Sequence, residues 1–288
     1  MKPSELPLTP DGKLYHIHLD SSTLADKVLL VGDPERVDMF KAIFDTVEHE
    51  SRNREIHALT GRYHGTRLTA LSTGMGCDNI DIVMTELDAA LRVESGTWKE
   101  ENDRHLQLVR IGTSGSLQED IDCGSHVASA YAIGLDGLMN YYREWDTPLP
   151  AIEEAFISHM QLYGRMARPY CVQGSGMLLG TVGADMHHGI TATAPGFYGP
   201  QGRTVRLHPA IDDLNERLAS FRYKGQRITN FEMETSAIYG FSHLLGHEAL
   251  TACLIIANRP RGTFLNDYHT EMRQLVGNVV ERLAAGQC

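Results

Sequence analysis

Apolar positions along the chain fall into short blocks separated by small and polar turns. Lys27-Val28-Leu29-Leu30-Val31 stops at Gly32-Asp33-Pro34, which predicts a buried strand ending in a turn. Pro34 suits a first helical position, and Val37, Met39-Phe40 and Ile43-Phe44 behind it predict a helix. Leu68 to Leu71 predicts a second buried strand, ending in Ser72-Thr73-Gly74-Met75-Gly76. From Asn79 to Val93, the residues Ile80, Val83, Met84, Leu87, Ala90 and Leu91 recur at helical spacing. Leu106 to Ile111 predicts a third strand, ending in a turn Gly112-Thr113-Ser114-Gly115. Further strands are predicted at 127–133, 178–182 and 249–257. A last helix, over about 268–285, places Met272, Leu275, Val276, Val279, Val280 and Leu283 on one face. Residues 94–105 are polar and predict an exposed loop. Strand–helix–strand–helix–strand at the start and helix–strand–helix at the end predict an α/β fold with a mixed, largely parallel sheet. No linker, repeat or low-complexity tract divides the chain, so 1–288 is read as one domain.

Composition narrows the function classes. Apolar residues make up 42% and charged residues 22% of the 288, an ordinary globular balance that argues against disorder. With 26 basic and 37 acidic residues the net charge is −11, a poor match to sequence-independent nucleic-acid binding. An anionic ligand would have to be held by a few focused arginines. The cysteines, Cys77, Cys123, Cys171, Cys253 and Cys288, are odd in number and form no C-x-x-C pair, which argues against a disulfide framework or structural zinc. Residues 1–18 contain no apolar signal-peptide core, and no apolar run approaches the ~20 residues of a membrane span. The expectation is a soluble cytoplasmic protein without nucleic-acid or membrane partners.

The candidate chemistry sits at strand ends. Three predicted strands finish in glycine-containing segments: Gly32-Asp33-Pro34-Glu35-Arg36, Ser72-Thr73-Gly74-Met75-Gly76 and Arg110-Ile111-Gly112-Thr113-Ser114-Gly115. Ligands of open α/β sheets bind outside the carboxyl ends of strands, where glycine lets backbone N–H groups approach. Arg36 and Arg110 add charged forks that match a phosphate, though three ordinary turns with solvated arginines fit the same pattern. No Walker loop occurs, and Gly74-Met75-Gly76-Cys77-Asp78-Asn79 has Asn where a dinucleotide fingerprint needs its third glycine. Asn230-Phe231-Glu232-Met233-Glu234 places two carboxylates where a helix start would let one accept ligand hydroxyls. Phe197-Tyr198-Gly199-Pro200-Gln201-Gly202-Arg203 offers aromatics, an amide and a guanidinium to a flat polar ring. His187-His188 reads as a strand-end pair, since adjacent residues diverge and no third ligand follows at a familiar spacing.

Together and in this order, these five segments resemble the nucleoside phosphorylase family, in its uridine-cleaving branch. The resemblance runs from about Lys13 to Arg259 and implies a three-layer α/β/α fold around a mixed central sheet. It implies phosphate binding by Gly32, Arg36, Arg110 and Thr113, with Arg54 lent by a neighbouring subunit. Ribose would meet Met233 and Glu234, with Glu232 beside them, and the 5′-hydroxyl would meet His16 of an adjacent subunit. The base would stack on Phe197 and meet Gln201, Arg203 and Ile256. Asn258 stands where purine-specific relatives carry an Asp, which together with the Gln201–Arg203 pair favours uracil. No cofactor is implied beyond inorganic phosphate as co-substrate. A structural K+ is an optional further ion at Glu55 and Met75, with Asn79 in place of a family Ser. Relative to the family, 94–105 and 138–177 look like insertions.

The reaction implied is uridine plus phosphate giving uracil and α-ribose 1-phosphate, a pyrimidine nucleoside salvage step. Catalysis would rest on Arg203, Gln201 and Glu234, by positioning and by stabilising the anionic leaving uracil. The resemblance also implies a homo-oligomer, at least a dimer and commonly a hexamer, with active sites shared between subunits. A purine nucleoside phosphorylase or nucleosidase on the same fold, and a non-catalytic nucleoside-binding relative, remain alternative readings.

Overall fold

The structure is a computed structural model and describes residues 2–99, 103–162, 164 and 166–286. Its strands are β1 (Lys27–Val31), β2 (Thr46–Asn53), β3 (Ile56–Tyr63), β4 (Thr66–Ser72), β5 (Val93–Glu94), β6 (Thr97–Trp98), β7 (Gln107–Ser116), β8 (His126–Gly134), β9 (Tyr170–Gln173), β10 (His187–Thr193), β11 (Arg222–Tyr223), β12 (Gln226–Glu232), β13 (Glu248–Asn258) and β14 (Thr263–Phe264). Its helices are α1 (Pro34–Lys41), α2 (Cys77–Arg92), α3 (Pro150–Met160), α4 (Gly176–Thr181), α5 (Leu214–Ser220), α6 (Thr235–Leu245) and α7 (His269–Ala285).

Strand β1 shows why the molecule has three layers. All five of its residues are buried, because successive side chains enter opposite layers. Val28 and Leu30 join the apolar layer of Ile80, Val83, Leu87, Ile238 and Phe241 from α2 and α6. Leu29 and Val31 join the opposite layer with Phe40 of α1, Leu178 of α4, and Leu275 and Val279 of α7. Each such fully buried aliphatic side chain contributes roughly 1.5–3 kcal/mol. The final helix buries the whole predicted face, Met272, Leu275, Val276, Val279, Val280 and Leu283.

The sheet runs β11-β12-β10-β8-β13-β7-β1-β4-β3-β2, with β9 on β8 and β14 on β13. Strand β1 pairs in parallel with β4 and β7, β7 in parallel with β13, and β10 in parallel with β8 and β12. The β2–β3–β4 meander and the β8–β13 pair are antiparallel, so the sheet is mixed. It also curls: β12 returns to pair antiparallel with β7, Asn230 opposite Ser116 and Phe231 opposite Gly115. This return brings Glu232 to the carboxyl ends of β1, β4 and β7.

Several predicted elements are corrected. The segment 178–182 lies in helix α4 and the residue after it rather than in a strand. Ser175 caps that helix by accepting the Leu178 N–H at 3.2 Å. A short apolar run is compatible with a buried helix as well as a strand. Gly112-Thr113-Ser114-Gly115 is not a turn but the second half of β7, extended because it pairs with β13 and β12 after β1 has ended. The loop expected over 94–105 begins as a small hairpin of β5 and β6, with Trp98 packed on the core. Residues 100–102 lie outside the described residues. The stretch 138–177 contains α3 and β9, which extends the sheet beside β8. Strands β2, β3, β10 and β12 carry no simple apolar block and were not anticipated. Among the described residues no helix is long and apolar enough to cross a membrane.

Candidate active site

A cavity of about 600 Å³ opens at the carboxyl ends of β1, β4, β7, β12 and β13. It also collects the N-termini of α1, α2 and α6, whose dipoles favour anions. Local sequence explains each approach. Pro34 opens α1, and Asp33 caps it by accepting the Glu35 N–H at 2.9 Å. Gly74 and Gly76 hold φ of +72° and +95°, so the chain turns from β4 into α2 with its amides facing inward. The Gly76 N–H donates to Glu234 Oε1 at 2.7 Å.

The cationic end holds Gly32, Arg36, Arg110 and Thr113. Arg36 is half-buried, forms no ion pair among the described residues, and has one long hydrogen bond, 3.5 Å to the Ile111 carbonyl. Burial pulls its guanidinium below its ordinary value, with Arg110 opposing it further. An inward-facing guanidinium with spare donors has the charge and geometry to receive an anion, since leaving such a charge partly desolvated and unpaired costs free energy. Arg110 differs. It is buried between Glu234 Oε2 and Glu232 Oε2, the latter at 3.3 Å. Burial alone would push its guanidinium down, but the Glu234 and Glu232 charges outweigh it and hold it higher. Burial likewise pushes the Glu234 carboxyl up against the pull of Arg110. Arg110 thus links the cationic end of the cavity to the Glu232 and Glu234 carboxylates.

Glu232 anchors the next turn. Its carboxylate accepts the Thr193 hydroxyl at 2.7 Å and the backbone N–H groups of Glu234 and Thr235 at 2.9 and 3.0 Å. It ends β12, whereas Glu234 sits at the N-cap position of α6, its carboxylate turned to the Gly76 N–H and Arg110 instead of the helix. The expectation of both carboxylates on a helix start therefore holds for Glu234 alone. With its oxygens engaged, Glu232 orders Met233 and Glu234, which line the cavity with it.

At the far end are Phe197, Gln201, Arg203 and Ile256. Arg203 stacks on Phe197, 3.8 Å from its ring centre, and donates to Gln201 Oε1 at 2.8 Å. One residue here escaped sequence reasoning. Arg259, just past β13, donates to the same Gln201 Oε1 at 2.5 Å, to the Gln201 carbonyl and to Asn215 Oδ1 at 3.2 Å. Burial, aided by Arg203, lowers the Arg259 guanidinium to about 10, so it stays charged at neutral pH. Both arginines only donate, so the Gln201 amide orientation is fixed and its NH2 is left to the cavity.

Other expected residues lie elsewhere. Asn258 does not line the cavity; it donates to the Gln118 and Ile121 carbonyls at 3.0 and 2.9 Å and accepts the Arg261 N–H at 3.0 Å. Its amide holds two loops, so the residue at the position of the purine relatives' Asp presents no carboxylate to the cavity. His16 and Arg54 do not line the cavity either, but share a small separate crevice with Asn53, Glu55 and Asn79. Glu55, Met75 and Asn79 do line the cavity rim. There Asn79 Nδ2 donates to the Met75 carbonyl at 3.2 Å. A separate trio, Asp38, Glu50 and His57, could converge on a metal, but Arg52 and Lys41 already neutralise its carboxylates. A larger cavity, about 840 Å³, shares Arg203 but is lined mainly by apolar groups such as Leu135, Val205, Leu207 and Ile211. His187 and His188 open β10, as the strand-end reading held.

Residues 26–285 match the family model of the phosphorylase superfamily. The chain belongs to that superfamily. It is 28% identical over 288 residues to uridine phosphorylase from Thermococcus kodakarensis, covering 98% of this chain and 90% of that one. Uridine phosphorylase from Klebsiella aerogenes is 25% identical over 255 residues, covering 85% and 86%. Among solved structures, a Trypanosoma brucei nucleoside phosphorylase described as showing uridine phosphorylase activity superposes with a TM-score of 0.87 at 31% identity, covering 98% of this chain and 100% of that chain. The superfamily transfers a pentosyl group with phosphate as co-substrate, and this chain is an enzyme of that kind.

Gly112 supplies a test of the site's construction. A Cβ at this position would overlap the Arg110 guanidinium, the flexible end of a side chain. Moving Arg110 would disturb its ion pairs with Glu232 and Glu234. Gly112→Ala is expected to keep the circular dichroism of the native fold, to lower the thermal midpoint, and to lower kcat/KM roughly tenfold or more, about 1.4 kcal/mol of transition-state stabilisation. Unchanged kinetics would dissociate the Arg110 position from activity.

Proposed function

We propose that this enzyme cleaves uridine with phosphate to give uracil and α-ribose 1-phosphate, in pyrimidine nucleoside salvage in the cytoplasm. What carries this reading is one cavity holding Arg36 with spare donors at one end and a fixed Gln201 between two guanidinia at the other. Phosphate would lie against Arg36, Arg110, Thr113 and the amide of Gly32. Glu234 accepts ribose hydroxyls beside Met233. The free amide hydrogens of Gln201 donate to a uracil carbonyl. Its oxygen already serves Arg203 and Arg259, so N3–H recognition requires one arginine to yield that lone pair to substrate. Arg203 is then released toward the base, where its charge stabilises the departing uracil anion. The step is positional and electrostatic and needs no protein nucleophile.

Completion of the site from a second subunit belongs to the same reading. His16 would reach the ribose 5′-hydroxyl and Arg54 the phosphate of an adjacent copy, within a dimer or a hexamer built from dimers. Both residues project from one crevice outside the chain's own cavity, which supports a shared task. Arg54 is held at φ +54° in the two-residue β2–β3 turn, a conformation costly for a side chain with a Cβ. The substrate assignment is tested by offering uridine, 2′-deoxyuridine, thymidine and inosine with phosphate. Uridine is expected to exceed inosine in kcat/KM at least a hundredfold, roughly 2.7 kcal/mol. Preference for inosine would overturn it.

A further inference from the structure

Glu86 is a charged residue where helix α2 should be apolar. It lies three residues after Val83 and four before Ala90 on the buried face, and it is 4% exposed. A buried carboxylate persists only where hydrogen bonds replace its water. Here those bonds converge on one residue and its neighbour. Oε2 accepts the backbone N–H groups of His16 at 2.9 Å and Ile17 at 3.0 Å, while Oε1 faces His16 Nδ1 at 2.5 Å. From the other side Asn53 Nδ2 donates to the carbonyls of Tyr15 and His16 at 3.0 and 3.2 Å. The Tyr15 ring stands edge-on to the imidazole, centres 5.0 Å apart. The His16 ring is nevertheless partly exposed and borders the crevice that holds Arg54.

The partners dictate the ring's chemistry. A carboxylate can only accept, so Nδ1 must carry the proton, and in the neutral ring Nε2 is then an acceptor. We propose that Glu86 is a positioning residue that fixes the tautomer and direction of His16, so that this chain presents an adjacent subunit's sugar with a hydrogen-bond acceptor at Nε2. The inference rests on the cross-subunit role of His16 proposed above. The ligand class follows: nucleosides carrying a hydrogen-bond donor at the 5′ position.

Glu86→Gln separates positioning from mere structural support. An amide has one oxygen, and the two backbone N–H groups of His16 and Ile17 claim it. Its NH2 then faces Nδ1, which must become the acceptor, and the ring proton moves to Nε2. The acceptor presented to the sugar becomes a donor. A 5′-hydroxyl can adapt because it both donates and accepts, but the ammonium of 5′-amino-5′-deoxyuridine can only donate.

Long-range 1H–15N spectra of the 15N-histidine-labelled protein, with His16 assigned by its loss in His16→Ala, are expected to show Nδ1 protonated in the wild type and Nε2 protonated in Glu86→Gln. The ratio of kcat/KM for 5′-amino-5′-deoxyuridine over uridine is expected to fall about tenfold or more in Glu86→Gln, with no further fall when that change is added to His16→Ala. A wild-type His16 carrying a proton on Nε2 would overturn the proposal, as would an unchanged ratio in a folded Glu86→Gln. The spectra require no turnover. An Nδ1-protonated His16 in a protein that leaves uridine intact would refute the proposed reaction while upholding the positioning, and the converse result would do the reverse.

Discussion

Arg110→Met is expected to abolish most turnover and to destabilise the fold at once. The side chain it removes is buried and is the shared counter-charge of Glu232 and Glu234. Without it two carboxylates remain in a water-poor site, and removing one partner of such a buried arrangement typically costs about 3–5 kcal/mol. The kinetic loss is expected to be about 2–4 kcal/mol, or roughly 30- to 1000-fold in kcat/KM, as for removal of one preorganised donor to a developing charge. The apparent KM for phosphate should rise with it. Urea unfolding and a phosphate titration of initial rates check the two halves separately. A destabilised protein with unchanged phosphate dependence would leave Arg110 a structural ion pair only.

Gln201→Leu is expected to have the second largest effect, confined to base recognition. Gln201 is buried, and its Oε1 is the acceptor that Arg203 and Arg259 share. Leucine removes that shared acceptor, leaving Arg259 on the Gln201 carbonyl and Asn215 and Arg203 on the Phe197 carbonyl, with two like charges facing each other across an apolar side chain. Hydrogen bonds to charged groups are worth about 1.5–3 kcal/mol each and are not additive here, so a loss of roughly 3 kcal/mol, about a hundredfold in kcat/KM for uridine, is expected. The KM for phosphate should hardly move, since Arg36 and Gly32 lie at the other end of the cavity. Initial rates varied in each substrate distinguish the outcomes. A change in phosphate KM matching that in uridine KM would contradict the division of the cavity.

The hydrophobic pattern revealed the frame but not its edges. Strand β1 and helix α7 are legible because unbroken burial and helical periodicity each leave few alternatives. Helix α4 was misread because six residues cannot show a period, and Ser175 acts as its cap only once the chain has turned. Strands β2 and β3 form a hairpin in which β2 is largely exposed, so no apolar block announces it. The glycine-rich strand ends and the Gln201–Arg203 pair were legible as chemistry, yet their meeting depends on β12 curling back to β7. Arg259 was invisible because its position is set by that same closure. The place of Asn258 was not legible in sequence, since its neighbours Ile256 and Ala257 line the cavity while its own amide serves two loops. Glu86 did leave a trace, an acidic residue on an apolar helical face, but only the fold reveals His16 against it.

The central claim is that this cavity holds phosphate as the attacking group. Purified protein incubated with uridine, with and without phosphate, tests it directly, following uracil and ribose 1-phosphate together. Uracil release that requires phosphate and is matched mole for mole by ribose 1-phosphate is the predicted result. Equal uracil release without phosphate, with free ribose as the product, would contradict it.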